Sequence, residues 1–263
     1  MNKYFSTFNL ISLIIGYAFL YIPILLLVIY SFNESRLVTV WSGFSTKWYA
    51  ELWQNAELLD AAKVTLQVAL VASTLATILG TIAGVVLTRF GNFNGRTLFN
   101  GMIYAPLVMP EVIVGLSLLL MFIAISLDRG YWTVTLAHTT FSMCYVAVVI
   151  QSRLSSFDRS IEEAAMDLGC PPVKTFFLIT LPMIMPAVVS AWLLSFTLSL
   201  DDLVISSFAT GPGATTLPMK IFSQMRLGVT PQINAVSTIL IGLVATGVTI
   251  SSVIRKKQEV RKM

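Results

Sequence analysis

Six stretches of this chain stay apolar for close to the length a helix needs to cross a lipid bilayer, about 20 residues. They lie near 9 to 32, 62 to 88, 98 to 126, 132 to 152, 176 to 199 and 232 to 254. In hydrocarbon every backbone N–H and C=O must find a partner within the protein, so runs of this kind are restricted to helices packed into a bundle. Composition agrees, at 56% hydrophobic and 11% charged residues against about 45–50% and about 25% in soluble domains. The expected fold class is all-α, a polytopic membrane protein with six transmembrane helices, and residues 1–263 read as one membrane domain without internal repeats. The first run follows Lys3 and invites a secretory-signal reading. It is longer than a signal core of about 7–15 residues and no small-residue cleavage site follows, so it is expected to be a retained span, bent at Pro23.

Basic side chains orient such a bundle, because they are retained on the cytoplasmic side. With the N-terminus inside, the cytoplasmic loops and tails carry Lys3, Arg89, Arg96, Arg153, Arg159, Lys174, Arg255, Lys256, Lys257, Arg261 and Lys262, eleven in all, against six on the other side. Both termini are therefore expected in the cytoplasm. Acids sort the opposite way: five lie inside and eight lie outside or at membrane depth, so the outer half is net negative and suits an arriving cation. The tail RKKQEVRKM reads as the usual anchoring charge beside a last span, with specific anionic-lipid binding as the lesser alternative. Basic residues scattered over short loops do not make a nucleic-acid surface. Cys144 and Cys170 have neither paired spacing nor a CxxC pattern, which disfavours a disulfide framework or a zinc site, and Met183 and Met185 read as packing residues with no ligand partner at metal spacing.

Two outer segments are long. Residues 33–61 contain WSGFSTKWYAELW, whose Trp41, Trp48, Tyr49 and Trp53 suit an interfacial aromatic belt or a partner's surface. Residues 199–232 contain GPGATTLP, which lacks the GK[ST] of a phosphate loop and reads as a turn, followed by the short amphipathic MKIFSQMRLG.

Between the fourth and fifth apolar runs sits SIEEAAMDLGCPPVKTFFLITLPMIMP, with a carboxylate cluster where a plain loop would suffice. Ser160 and Glu163 have the spacing of a capping box, which starts a helix. Ile161, Ala164, Ala165 and Leu168 form an apolar stripe with Glu162 and Asp167 opposite, Gly169 can take the left-handed stop, and Pro171 and Pro172 block continuation. A helix of residues 160–169 is too short to hold itself in water, where about 12–15 residues are already marginal. Its stripe must pack against something: its own bundle, or a partner's groove.

The run Glu163-Ala164-Ala165, then Gly169, Ile179 and Leu181-Pro182, matches the spacing EAA-x3-G-x9-I-x-LP without departure. It resembles the EAA motif of the membrane subunits of binding-protein-dependent ABC importers, the type I permeases. The resemblance implies that Ser160, Glu163, Ala164, Ala165, Gly169, Ile179, Leu181 and Pro182 belong to a coupling helix and its joint, seated in a cleft of a cytoplasmic ATPase dimer. No cofactor is then expected in this chain, which has no Walker motif; ATP and Mg²⁺ belong to the ATPase. Stretches including LVIYSFNESRLVTVWSGFSTKWY, APLVMPEVIVGLSLLL and FTLSLDDLVISSFATGPGATTLPM are similar to polyamine permeases, most of all the putrescine-specific kind. That similarity implies a homologous second permease, a periplasmic polyamine-binding protein and a multi-pass location in the inner membrane.

Three carboxylates stand where a bilayer makes charge expensive, from about 2.5 kcal/mol upward on insertion scales. Glu111 follows Pro106 and Pro110, prolines that weaken a helix and free carbonyls, while Asp201 and Asp202 end a long apolar run. They are candidates for a cation's path; hydrated or paired carboxylates at a helix end are the alternative. Adjacent helical residues point about 100° apart, so one aspartate is expected to face the path while the other caps or pairs. His138, among Thr and Ser, is expected to hydrogen-bond a neighbouring helix. No catalytic dyad is evident. A gradient-driven transporter is the rival reading, but the paired broken helices of inverted repeats are not evident, while sulfate or phosphate as cargo conflicts with the acids.

The orientation is testable with Lys257→Cys in a chain lacking Cys144 and Cys170. The expected outcome is protection from an impermeant thiol reagent in intact cells, while Gly213→Cys reacts; comparable labelling of the two overturns the topology.

Overall fold

The computed structural model describes residues 7–36, 40–227, 231–242 and 245–246, and among these every regular element is helical. The chain divides into two units, Met1–Leu59 with Ile221–Met263, and Asp60–Lys220.

In the first unit, α1 (Thr7–Tyr30) runs unbroken through Pro23 and leaves its apolar faces exposed. It is followed by a self-locking loop. Asn33 is fully buried; its Nδ2 donates to the Val40 carbonyl at 2.7 Å and its Oδ1 accepts the Ser42 N–H at 3.0 Å. Trp48, on α2 (Lys47–Gln54), donates Nε1–H to the Asn33 carbonyl at 2.6 Å, and Tyr49 meets Ser31 at 2.7 Å. The expected belt is therefore divided: Trp48 and Tyr49 are spent on fixing the loop, whereas Trp41 and Trp53 remain exposed. Gln232 donates to Glu51 at 3.0 Å and ties α2 to a helical stretch over 231–242. The rest of the expected sixth span, apart from 245–246, lies outside the described residues, as does the basic tail.

The helix α3 (Ala56–Arg89) starts six residues before the expected span, because Asn55 Oδ1 accepts the Leu58 N–H at 3.2 Å and caps it there. From Asp60 onward the chain forms the second unit, built around α6 (Tyr131–Ser155). Ala72, Ala76, Gly80 and Gly84 make a small-residue stripe on α3. A Cβ added at Gly80 would stand 2.6 Å from the Met143 carbonyl oxygen and from Val146 Cβ, and one at Gly84 would meet Ile150 at 2.9 Å. Two backbones thus touch across a glycine seam, the way helices associate when lipid removes the hydrophobic incentive between them. The same Val146 and Ile150, together with Leu154, also pack with Ile184 and Ala191 of α9 (Leu181–Asp201).

The expected third span is not one helix. It breaks into α4 (Arg96–Val108) and α5 (Glu111–Ala124), bent by 120°. Pro110 has no N–H to give and sterically pushes Met109 out of the helical region, and Met109 accordingly sits at φ −74° and ψ 142°. Four described helices are long and apolar enough to cross a membrane, or five spans if the bent pair counts as one.

A second break follows α9. Asp202 is extended (φ −64°, ψ 122°), and the chain continues as α10 (Val204–Ala209), wedged against α5 and α6. Ile205 and Ala209 join Val114, Leu118, Phe122, Val134 and Phe141 in one buried cluster. GPGATTLP is the expected turn, with Gly213 at φ +73°, and α11 (Leu217–Leu227) covers the amphipathic stretch.

Gly80→Val should remove the α3–α6 seam. Overpacking a core typically destabilises by about 1–3 kcal/mol, and the clash with a backbone oxygen puts this site at the upper end. The expected result is a lower unfolding temperature in detergent, while Gly101→Val, with nothing within 4 Å of the added Cβ, shifts it much less.

Candidate functional site: a charged helix and a carboxylate break

The charged helix is α7 (Ser160–Asp167). It has no capping box. Residue 159 is already helical, and the cap is Asp158, whose Oδ1 accepts the Ser160 N–H at 3.0 Å; this bond holds the Asp158 carboxyl below its ordinary pKa. Glu163 turns instead to Arg159, 3.1 Å away across one exposed turn. The stop is as expected. Gly169 sits at φ +85°, its N–H bonds the Met166 carbonyl at 2.9 Å and the Cys170 N–H bonds the Ala165 carbonyl at 3.0 Å, the two bonds of a Schellman motif.

The packing of α7 inverts the amphipathic reading. Ile161, Ala164 and Leu168 face solvent, with Leu168 at 91% exposure, whereas Glu162 is buried. Its Oε2 lies 2.9 Å from Arg89 Nε at the end of α3, and its Oε1 accepts the Thr180 hydroxyl at 2.7 Å. Arg89 also lies over the Phe157 ring, 5.7 Å from its centroid. A cavity of about 510 Å³ opens beside this pair, walled by Ile82, Val85, Met166, Val173 and Phe176. Removing one partner of a buried pair strands the other charge and typically costs about 3–5 kcal/mol. Glu162 is therefore what holds α7 to the bundle. Periodicity could not find it; the clue available in the sequence was the acid cluster itself together with a basic residue, Arg89, at the end of another span on the same side.

Thr180 ends a π-helical turn, Phe176–Thr180, between α8 (Pro172–Thr175) and α9. The cause lies two residues on. Pro182 cannot donate and its ring presses on the carbonyl four residues back, so the turn widens and the Leu181 N–H reaches the Phe176 carbonyl instead. Ile179 sits inside this widened turn, and Leu181 packs beside Ile184. The I-x-LP residues thus form the joint by which the fifth span leaves α7.

The carboxylates stand at the two breaks. Glu111 is the first residue of α5 and exposed; Asp201 is the last residue of α9 and exposed. Asp202 turns inward, accepting the N–H of Ile205 at 3.2 Å and of Ser206 at 2.7 Å, with His138 Nε2 3.1 Å from Oδ2. His138 bonds neighbouring helices as expected: Nδ1 meets Ser199 Oγ at 2.7 Å and Nε2 meets Ser206 Oγ at 2.9 Å.

Residues 76–261 match the family described as binding-protein-dependent transport system inner membrane component. The chain is 60% identical over 245 residues to the putrescine transport system permease protein PotI of Escherichia coli strain K12, covering 91% of this chain and 87% of that protein. It is 45% identical over 241 residues to the spermidine/putrescine transport system permease protein PotC of Haemophilus influenzae, covering 92% and 93%. A solved bacterial alginate ABC transporter in complex with an alginate pentasaccharide-bound periplasmic protein has the same fold, with TM-score 0.70 at 17% identity over 92% of this chain and 89% of that one. A second, described as importing the acidic polysaccharide alginate, gives 0.68 at 13% identity over 97% and 99%. The fold is that of a type I ABC importer permease, and this chain, whose charged helix, glycine stop and leucine-proline joint all fall within the matched residues, belongs to the binding-protein-dependent transport system inner membrane components.

Proposed function

We propose that this chain is one permease subunit of an ATP-driven importer that moves putrescine from a periplasmic binding protein into the cytoplasm, paired in the membrane with a homologous permease. The observation that carries the reading is α7: a two-turn helix held from beneath by Glu162 while its apolar stripe, Ile161, Ala164 and Leu168, faces out. A helix folded back on its own bundle would bury that stripe. One that docks into the cleft of a cytoplasmic ATPase dimer presents it. ATP and Mg²⁺ are held by that ATPase, and both termini of the present chain lie on the same side as it. Putrescine as cargo rests on the 60% identity to a putrescine permease and fits the acidic outer half of the sequence.

Glu111 and Asp201 supply the anionic path. A dication entering the bundle loses hydration, and carboxylates spaced along the route offset that loss without making a single trap. The two exposed carboxylates begin and end different helices, each at a break where backbone groups are also available. Asp202, engaged with the N-terminus of α10 and with His138, shapes the path without facing it.

Gly169→Asp tests the docking reading. At φ +85° a side chain strains the backbone although the space around it is open, so the exit of α7 should distort while the bundle stays intact. Putrescine uptake is expected to fall at least tenfold at unchanged membrane levels; normal uptake removes the coupling role. Dependence of uptake on ATP in vesicles separates this reading from a gradient-driven transporter.

The path is tested by Glu111→Gln combined with Asp201→Asn. The expected result is strongly reduced putrescine uptake with complex assembly and binding-protein-stimulated ATP hydrolysis preserved. Near-normal uptake in the double variant rules out these carboxylates while leaving the α7 reading in place.

A further inference from the structure

The His138 imidazole is 2% exposed and reaches three places at once. From the middle of α6 it contacts Ser199 on α9, Asp202 in the break, and Ser206 on α10. One ring therefore spans both flanks of the discontinuity. An ionised carboxylate only accepts, so the nitrogen facing Asp202 must be the one carrying hydrogen: Nε2–H donates to Asp202, and Nδ1 is left for Ser199. Asp202 in turn accepts from Ile205 and Ser206 and thereby fixes where α10 begins.

Two exposed groups depend on that arrangement. Asp201 is the residue immediately before Asp202, so the point at which α9 ends sets where its carboxylate stands. Glu111 is tied in through α10. Phe208 lies so close to Gly115 of α5 that a Cβ there would come within 2.5 Å of its ring, and Ile205 and Ala209 share a buried cluster with Val114, Leu118 and Phe122 of α5. Thr133, also on α6, donates to the Ala209 carbonyl at 2.7 Å and closes the other end of α10. The short helix is thus gripped at both ends by α6 and packed along its side against the helix that begins with Glu111.

We propose that His138 is a positioning residue for the transported cation: by clamping the α9–α10 break it sets the spacing between the Asp201 and Glu111 carboxylates, and so the length of diamine the path accepts. His138 itself does not face the path. The inference rests on the reading that Asp201 and Glu111 receive the cation, which the double amide variant tests separately.

The experiment uses the assembled transporter with its binding protein and compares uptake of putrescine with that of diamines one and two methylenes longer. The binding protein is common to all variants, so any change in the ratio between diamines belongs to the permease. His138→Gln keeps an amide N–H near the Nε2 position and is expected to stay within about threefold of the parent in apparent KM and in the ratio. His138→Asn offers its amide only near the Nδ1 position, leaves Asp202 without its side-chain donor, and is expected to raise the apparent KM for putrescine about tenfold and to flatten the preference among diamines, with ATP hydrolysis retained. Equal behaviour of the Gln and Asn variants, loss of assembly in both, or a lowered rate with an unchanged diamine ratio overturns the proposal. If the double amide variant impairs uptake while these ratios stay fixed, only the positioning role falls.

Discussion

An apolar environment leaves an interrupted helix with backbone groups that nothing else will satisfy, and this structure turns on how two interruptions are closed. At the first, Pro110 removes a donor and its carbonyl accepts the Ile113 N–H at 2.9 Å and the Val114 N–H at 3.3 Å, so α5 restarts at once. At the second, the Asp202 carboxylate does what a capping serine does in a soluble protein, and His138 supplies the donor that lets the charge stay buried. The first break is closed by local bonds, the second is not. The second requires α6 to lie alongside, and α6 is held there by the seam with α3, where Gly80 and Gly84 let the two helices approach closely. Glu111 and Asp201 stand where they do because the breaks are closed in this way.

Glu162 poses the same problem at the other end of the unit. A buried carboxylate is unfavourable by itself and is held by Arg89 and Thr180 together. The gain is in specificity rather than stability: an apolar contact would let α7 slide or roll, whereas an ion pair at 2.9 Å with a hydroxyl on the second oxygen fixes its rotation. With that rotation set, Ile161 and Leu168 cannot turn inward, and the stripe stays exposed.

The membrane class and most span positions were legible because span length is a property of the chain by itself. So was the Gly169 stop, since the left-handed conformation and the following prolines are local demands, and so was the bonding of His138, a buried polar ring with few other options. What the sequence hid was tertiary. Ser160 and Glu163 have capping-box spacing, but Asp158 two residues earlier competes for the same N–H and wins, and Arg159 takes Glu163. The stripe on α7 was visible and its direction was not, because that depends on Arg89, more than seventy residues away in the chain. Pro106 and Pro110 announced a weak helix at 98–126; the 120° turn needed the neighbouring α10 and α6 as walls.

The fifth span joins the two stations. From Pro172 to Asp201 it is one helical rod of 30 residues, about 45 Å at 1.5 Å per residue. Its lower end meets Glu162 through Thr180, and its upper end is seized by His138 through Ser199 and the break beyond. A rigid rod would pass any displacement of α7 straight to Asp201. This one contains a widened turn at Phe176–Thr180, forced by Pro182, so its lower section can yield while the part packed on α6 by Ile184 and Ala191 keeps its register. The compliance sits below the packing and the clamp sits above it. The seam, the apolar contact and the histidine hold α3, α6 and α9 together above the joint, while the covalent link from α7 runs through the widened turn. On the proposed reading of Asp201 and Glu111 as a cation's path, a clamp placed above the joint is where the spacing of those carboxylates would be kept while α7 moves.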